Sequence, residues 1–420
     1  MSKLELNSGQ AAAVTSMLNF LSDPSPEAPF FVLAGSAGTG KTFTLREVQS
    51  AFEASHGKIA FTAPTNKAAK ELRKVVGKAS TIYNLLGLRI TAKGEVKSLE
   101  IGKNSNIDLS EFDCIVVDEG GMVSRVLWDV IETTAVKYNV KFLFSGDKFQ
   151  LPPVKERQSV IWGIESGTEL TEVMRHDNQI LKLVTRIRDA MTKPLLNITI
   201  TNDNADGEGV FKLTKFDFKQ RIYQDACAGK FADPTNTKVI AWRNVKVQEY
   251  NQLIRKAIYG AGALPYEAGE RIIAAAPCLQ GEETVLSTDE EALVESAINC
   301  QHPIEPRFQA IELKARTEDN RVIRLMVLHP DSQQDFDNAC TQLAHQAKQN
   351  PKMWKSYWNL KELFHDVKYA YAITAHRAQG STYDNVYVDY QDILMNRERL
   401  EAFQCLYVAC SRPRKTLILA

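Results

Sequence analysis

Eight residues, Gly35-Ser36-Ala37-Gly38-Thr39-Gly40-Lys41-Thr42, spell G-x-x-x-x-G-K-T. Gly38 and Gly40, with Thr39 between them, let backbone N–H groups turn inward around a phosphate chain. Lys41 can reach the β and γ oxygens of a nucleotide, and the Thr42 hydroxyl can ligate Mg²⁺. The plainer alternative is a glycine-rich turn that binds nothing. Context argues against it: an apolar run, Phe30 to Ala34, precedes the loop, and a helix-like run, Phe43 to Phe52, follows. Strand, glycine loop and helix in that order are what such a site requires.

Val116-Val117-Asp118-Glu119 ends a second apolar run with two acids. In a parallel sheet the carboxyl ends of the strands face the nucleotide. Asp118 would hold Mg²⁺, directly or through water, and Glu119 would polarise the attacking water. The second acid argues for hydrolysis over a static switch. An acidic surface pair is the alternative. Gln150, in the turn Gly146 to Pro153, can sense the γ-phosphate or orient water through its amide. Pro152 and Pro153 stiffen the exit from that turn. Hydrolysis also needs cations where charge spreads over the γ-phosphoryl oxygens. Arg175 and Arg412 are the candidates, although a lone arginine is usually a solvated surface charge. An arginine from a second unit would make hydrolysis depend on closing a cleft.

These residues need a scaffold, and the pattern of runs supplies one. Strand-like segments Phe30–Leu33, Ile59–Thr62, Cys114–Val117 and Phe142–Phe144 alternate with helix-like stretches, as in a parallel sheet covered by helices. A second set, Lys238–Trp242, Tyr369–Ile373, Val386–Val388 and Thr416–Leu419, implies a second α/β unit. Residues 276–368 differ in character, with scattered prolines, the acidic cluster Asp289-Glu290-Glu291 and the β-like run Val322–Leu328. They read as an insertion. A smaller excursion at 88–106 has Lys93-Gly94 between alternating runs, which suggests a β-hairpin.

Composition sets outer bounds. The 420 residues are 44% hydrophobic, enough for two to four compact units. No apolar stretch approaches the roughly 18 residues that span a membrane, and the N-terminus lacks a signal-peptide core. Seven scattered cysteines form no C-x-x-C pair, which fits free thiols in a reducing cytoplasm. Fifty-one basic residues balance 51 acidic ones, which argues against a tight, nonspecific nucleic-acid coat. A narrow basic track on a neutral surface remains compatible with that balance.

Taken in order, these segments resemble superfamily 1 helicases of the 5′-to-3′ branch, RecD-like and Dda-like, over most of the chain. The resemblance implies two tandem RecA-like P-loop domains, an α/β fold carrying a β-hairpin pin and an SH3-like, β-rich insertion. It divides the chain into a first ATP-binding domain at 1–84 and 107–177, a pin at 85–106, a second domain at 178–275 and 369–420, and a tower at 276–368. A helical hook falls near Met353–Phe364. Leu6-Asn7-Ser8-Gly9-Gln10 looks like the motif whose glutamine reads adenine, so Gln10 implies ATP over GTP. Ala63-Pro64-Thr65-Asn66-Lys67-Ala68-Ala69 and Ala79-Ser80-Thr81-Ile82-Tyr83 look like the motifs that line the single-strand track. Thr374 to Ser381 and Tyr407 to Arg412 look like motifs V and VI.

A translocase needs contacts indifferent to sequence, supplied by amides, hydroxyls and stacking groups. Pro64, Thr65, Asn66, Thr81, Tyr83, Thr374, His376 and Ser381 are of the right type, and Lys67, Lys70 and Arg377 could neutralise phosphates. His376 has a structural alternative, as a satisfied core histidine. The aromatic run Trp354, Tyr357, Trp358 and Phe364 has near-helical spacing and reads as packing. Trp242 reads as either an adenine cap or core.

The implied activity is ATP-dependent, Mg²⁺-supported 5′-to-3′ translocation on single-stranded DNA with duplex unwinding. Expected partners are single-stranded and forked DNA and a single-strand-binding or replication protein, with no membrane, a monomeric state and a cytoplasmic location, the host's if the chain is phage-encoded. Alternatives are a translocase that remodels protein–nucleic acid complexes or acts on RNA, a P-loop kinase or unrelated ATPase, and a clamp with a dead ATPase. The chain end after the last strand argues against a fused nuclease. Departures from the family are Gly120-Gly121 after the two acids, Pro413 after Arg412, Thr382 in motif V, and a pin whose apolar candidates are only Leu99 and Ile101. The glycine pair is expected to add backbone freedom beside the metal site.

Overall fold

The computed structural model describes residues 6–24, 29–93, 96–101, 108–172, 179–193, 199–205, 207–281 and 283–420, with backbone alone for 89–101. Arg175 lies outside these residues, as do Gly94 and Glu95 at the hairpin turn and the side chains of Leu99 and Ile101.

Six strands form one parallel sheet in the order Ser80–Thr81, Ile59–Ala63, Cys114–Val117, Lys141–Gly146, Phe30–Gly35, Gly167–Leu170. Its inner strands alternate between two apolar layers. Phe31, Leu33, Cys114, Val116 and Leu143 face helices Ser8–Ser22, Lys41–Ala54 and Asn66–Val76. Val32, Ile115, Val117, Phe142 and Phe144 face helix Arg125–Tyr138. Burial on both faces is why these strands read as continuous apolar runs. The edge strand Gly167–Leu170 is half exposed, so its residues carry no such signal.

A second sheet runs Ala372–Thr374, Thr237–Ala241, Tyr383–Val388, Pro413–Leu419, Glu208–Lys212, Asp203–Ala205. It is parallel except for its last strand. The two sheets are the two RecA-like units. Helices Gln179–Thr192 and Arg399–Cys410 pack on the second sheet, and their core extends to Leu151, Phe149 and Ala37 of the first unit. That apolar continuity closes one end of the cleft.

The insertion folds as a five-stranded antiparallel sheet in the order Val322–Leu328, Gln309–Thr317, Glu291–Gln301, Arg271–Ala274, Val367–Tyr369. Its limits are wider than the expected 276–368. Arg271–Ala274, expected in the second RecA-like unit, pairs with Glu291–Leu293 and Val367–Tyr369 instead. The expected single strand Tyr369–Ile373 is also two. The chain leaves the inserted sheet at Tyr369 and enters the RecA-like sheet at Ala372. One apolar run serves both sheets, and apolarity alone does not say which ladder takes its hydrogen bonds.

The excursion at 88–106 contains the antiparallel pair Leu88–Lys93 and Val96–Ile101. The aromatic run lies on helix Trp354–Lys361 and just beyond it. Trp354, Tyr357 and Trp358 meet edge to face at 5.3 and 5.0 Å, while Phe364 packs on Phe308 and Phe336. Trp242 packs against the core of the second unit.

Buried ions tie the three bodies together. Lys238, 2% exposed, donates to Glu291 Oε1 at 2.9 Å and to the Ala370 carbonyl at 2.7 Å. Lys67 of the first unit donates to the Tyr383 hydroxyl at 2.9 Å and stands 4.0 Å from Glu291. Burial alone would raise the Glu291 carboxyl, but Lys238 and Lys67 hold it below the usual carboxylate range. Removing one partner of such a pair strands the other charge. Glu291→Ala is therefore expected to destabilise the chain by about 3–5 kcal/mol. Glu291→Ala with Lys238→Met should recover most of that loss. Thermal melting of both variants checks this; equal melting of Glu291→Ala and wild type would refute it.

Candidate ATPase site and strand track

The P-loop joins strand Phe30–Gly35 to helix Lys41–Ala54. Gly38 and Gly40 sit at φ 85° and 84°, a left-handed backbone that favours glycine. A Cβ at Gly35 would come within 2.6 Å of Thr39 Oγ1. The Lys41 ammonium folds back onto its own loop, donating to the carbonyls of Gly35 at 2.8 Å and Ser36 at 3.3 Å. Gln10 is buried and does two jobs. Its amide closes the capping box of the first helix with Asn7, and its Nε2 donates to the Thr39 carbonyl at 3.1 Å. The residue proposed to read the base is thus wired to the loop that holds the phosphates.

The acidic pair follows strand Cys114–Val117. Asp118 Oδ1 accepts from Ser145 Oγ at 2.7 Å and from the Glu119 N–H at 3.0 Å. Glu119 adopts φ 53°, which turns the chain sharply out of the sheet. Its carboxyl is pushed up to about 7 by burial first, then by Asp118, with Lys41 and Arg412 pulling the other way. Two carboxylates therefore crowd one corner of the cleft, and a divalent cation would relieve that crowding. The Asp118 carboxylate and the Thr42 hydroxyl are the hard oxygen donors that Mg²⁺ takes.

Gly120 and Gly121 correct one expectation. Neither has positive φ. They are small for packing: a Cβ at Gly120 would meet Ile161 at 3.1 Å and Phe144 at 3.2 Å, and one at Gly121 would meet Trp162 at 3.4 Å. The pair seats a 3-10 turn, Gly120–Met122, tightly under neighbouring elements instead of loosening the metal site.

A proton on Glu119 has a thermodynamic consequence. In metal-free, nucleotide-free protein the folded state holds this proton between about 4.5 and about 7, where the unfolded chain has released it. Stability should fall as pH rises through that window, then level off. Glu119→Gln should flatten this slope. Melting in EDTA across pH 5 to 7.5 checks it, and parallel wild-type and variant curves would sink the assignment.

Gln150 is buried, and among the described residues its Oε1 has no hydrogen-bond partner. Arg412 is 6% exposed, yet its guanidinium bonds only neutral oxygens: the carbonyls of Val408 at 2.9 Å and Ser381 at 3.1 Å, and Ser411 Oγ. Among the described residues it has no ion pair. A buried cation without a counter-ion is costly, and the acids nearest to it include Glu119 across the cleft.

Two further contacts cross the same cleft. The Tyr407 hydroxyl donates to Asp147 Oδ2 at 2.7 Å and accepts from the Ala37 N–H at 3.1 Å. Arg188 donates to Ser36 Oγ at 3.2 Å. Reading along the sequence assigned no role to Tyr407, Asp147, Ser145 or Arg188. The only signals were the motif positions of Tyr407 and Asp147.

The expected strand contacts divide into three groups. Thr65, Thr81 and Thr374 are helix N-caps, accepting from the N–H groups of Ala68, Asn84 and Arg377. Asn66 opens the helix capped by Thr65. Pro64 and Ser381 are buried, Ser381 Oγ without a partner. Tyr83 is half-buried, and burial raises its phenol. His376 keeps 40% of its side chain exposed and stands 3.8 Å from Glu401; partial desolvation pulls its pKa down, against the Glu401 carboxylate. Motifs Ia and V meet directly: a Cβ at Gly380 would stand 3.4 Å from Ala68 Cβ.

The three basic residues differ most from expectation. Each faces a carboxylate from the insertion: Lys67 faces Glu291, Arg377 faces Asp289 at 3.4 Å, and Lys70 pairs with Glu318. They are not free to neutralise phosphates in this arrangement.

Two RecA-like sheets, the first carrying a P-loop and an acidic pair at its strand ends, define the class of P-loop ATPases. Residues 5–205 match the AAA domain family, and residues 369–420 match the UvrD-like helicase C-terminal domain. The ATP-dependent DNA helicase dda of Enterobacteria phage T4 is 25% identical over 420 residues, spanning 90% of this chain and 92% of that protein. The uncharacterized protein R530 of Acanthamoeba polyphaga mimivirus is 22% identical, spanning 98% of this chain and 99% of that one. The Pif1 helicase from Bacteroides in complex with ADP-AlF3 and ssDNA shares the fold, with TM-score 0.53 and 16% identity over 97% of this chain and 91% of that one. The chain is a DNA helicase ATPase similar to the Dda, RecD and Pif1 enzymes of superfamily 1. No helix among the described residues is long and apolar enough to cross a membrane.

Proposed function

We propose that this chain translocates 5′-to-3′ on single-stranded DNA, driven by Mg²⁺–ATP hydrolysis in the cleft, and unwinds forked duplexes. The carrying observation is that the ATP loop is bonded across the cleft by the second unit, through Tyr407 and Arg188. Such a site changes when the units move. Thr42 and Asp118 would hold the metal, the P-loop amides and Lys41 the phosphates, and Gln10 the base. Bound nucleotide supplies the phosphoryl group whose hydrolysis releases the energy. Glu119 would take the proton from the attacking water, Gln150 would orient that water, and Arg412, with Arg175, would meet the charge that develops on the γ-phosphoryl oxygens.

The same closure would act on the strand, because motifs Ia and V approach each other at Ala68 and Gly380. Alternating grip at Thr65, Thr81, Thr374 and His376 converts hydrolysis into steps, and the hairpin at 88–101 would part the duplex. The two kindred proteins that support this reading are the T4 dda helicase and the Bacteroides Pif1 helicase. Duplexes with only a 5′ or only a 3′ single-stranded tail test it. Unwinding from the 5′ tail is expected; unwinding from the 3′ tail alone overturns the polarity. RNA in place of DNA as the tracking strand should fail, and equal stimulation by both would move the reading to a general nucleic-acid translocase.

A further inference from the structure

We propose that Tyr407 is a positioning residue for ATP hydrolysis: its hydroxyl ties the P-loop at Ala37 to Asp147 and sets the register in which Arg412 meets the nucleotide. This rests on the motor reading of the cleft.

The phenol uses both of its hydrogen-bonding capacities across the domain boundary. It donates to Asp147 Oδ2 at 2.7 Å and accepts from the Ala37 N–H at 3.1 Å. Both partners belong to the first RecA-like unit, at the two loops that flank the nucleotide: the P-loop and the turn after strand Lys141–Gly146. Tyr407 itself stands on helix Arg399–Cys410 of the second unit. Arg412 follows five residues later, just past the end of that helix. One helix thus carries the group that grips the loop and the cation that faces Glu119.

Chemistry favours a tyrosine here over any ring that merely packs. Tyr407 is 1% exposed and Asp147 is 3% exposed. The Asp147 carboxylate has no ion pair among the described residues; it accepts from the Phe149 N–H at 3.0 Å and from Tyr407. A buried carboxylate needs such donors, so the phenol is half of its compensation. Burial and Asp147 both push the phenol's pKa upward, so it remains a donor throughout the working pH range. Phenylalanine would keep the ring's contact with Phe149, at 6.5 Å between centroids, and lose only the two bonds. The hydroxyl therefore has a separable role. It holds Gln150, three residues after Asp147, and the P-loop in one frame with the second unit.

The test is steady-state ATP turnover by the full chain, with and without single-stranded DNA, for wild type, Tyr407→Phe, Asp147→Asn and the double variant. Loss of a hydrogen bond to a charged group predicts a fall in kcat of about tenfold or more for Tyr407→Phe, with KM for ATP little changed. The double variant should fall no further than the worse single one, because both remove the same link. A purely structural role predicts a lowered melting temperature with kcat per folded molecule near that of wild type. Wild-type kcat in Tyr407→Phe overturns the proposal, as does a fall in KM at constant kcat, since the bond would then be a brake on binding. If single-stranded DNA fails to stimulate wild-type turnover, the motor reading fails. The unstimulated kcat still decides the role of Tyr407.

Discussion

Lys41→Ala should lower ATP turnover by about a thousandfold, the loss expected when one preorganised donor to a developing oxyanion is removed. Single-stranded DNA binding should be largely retained. The reason lies in the distances. Among the described residues Lys41 bonds only to Gly35 and Ser36, within its own loop. It holds no element of the strand track, and its replacement leaves Thr65, Thr81 and Thr374 capping their helices. The fold should persist, because the bonds the ammonium makes are to two carbonyls of its own loop. Radiometric or coupled-enzyme ATPase assays and fluorescence anisotropy with a labelled oligonucleotide measure the two arms. Turnover near wild type would remove the P-loop from the mechanism. Loss of DNA binding alongside turnover would mean that the two sites are not separable.

Arg412→Ala should be at least as severe, about 10³-fold or more in kcat, the range for an arginine that stabilises the phosphoryl-transfer transition state. Nucleotide binding should change far less, since the charge matters most when the γ-phosphoryl oxygens become more negative. A stability loss could imitate this result, and the geometry argues that it will be small. Arg412 forms no ion pair among the described residues, so its removal strands no carboxylate partner. What it leaves are the Ser381 and Val408 carbonyls and Ser411 Oγ, of which Val408 sits in a helix and Ser411 Oγ keeps its own bond to the Val408 carbonyl. Arg412→Lys tests the fork geometry separately: lysine keeps the charge but lacks the planar fork of five donors. Retention of turnover in Arg412→Lys would mean that charge alone suffices. Retention in Arg412→Ala would leave hydrolysis without its cation from the second unit.

Much of this site was legible before any coordinates. Lys41, Thr42, Asp118 and Glu119 sit at the carboxyl ends of strands that read as apolar runs, because both faces of a parallel sheet are buried. Edge strands such as Gly167–Leu170 were silent, since half-exposed residues obey no strict apolar rule. The run Tyr369–Ile373 was visible, but not its division between two sheets. The motif threonines were found by type, but their N-cap geometry depends on where each helix begins.

Composition and local spacing by themselves determined the nucleotide loop, the acidic pair, the order of two α/β units and the presence of an insertion. These are properties of residues near one another in the chain, set by backbone freedom at Gly38 and Gly40 and by burial along single strands. Only the tertiary structure decided that Lys67, Lys70 and Arg377 face carboxylates of the insertion. It also decided that the Gly120–Gly121 pair serves packing, and that Tyr407 reaches Ala37 and Asp147 from a different unit. Those pairings join residues well separated in the chain, 370 positions apart for Tyr407 and Ala37. Burying a polar or charged group is costly unless it is paired, and a one-dimensional pattern carries no record of which donor meets which acceptor.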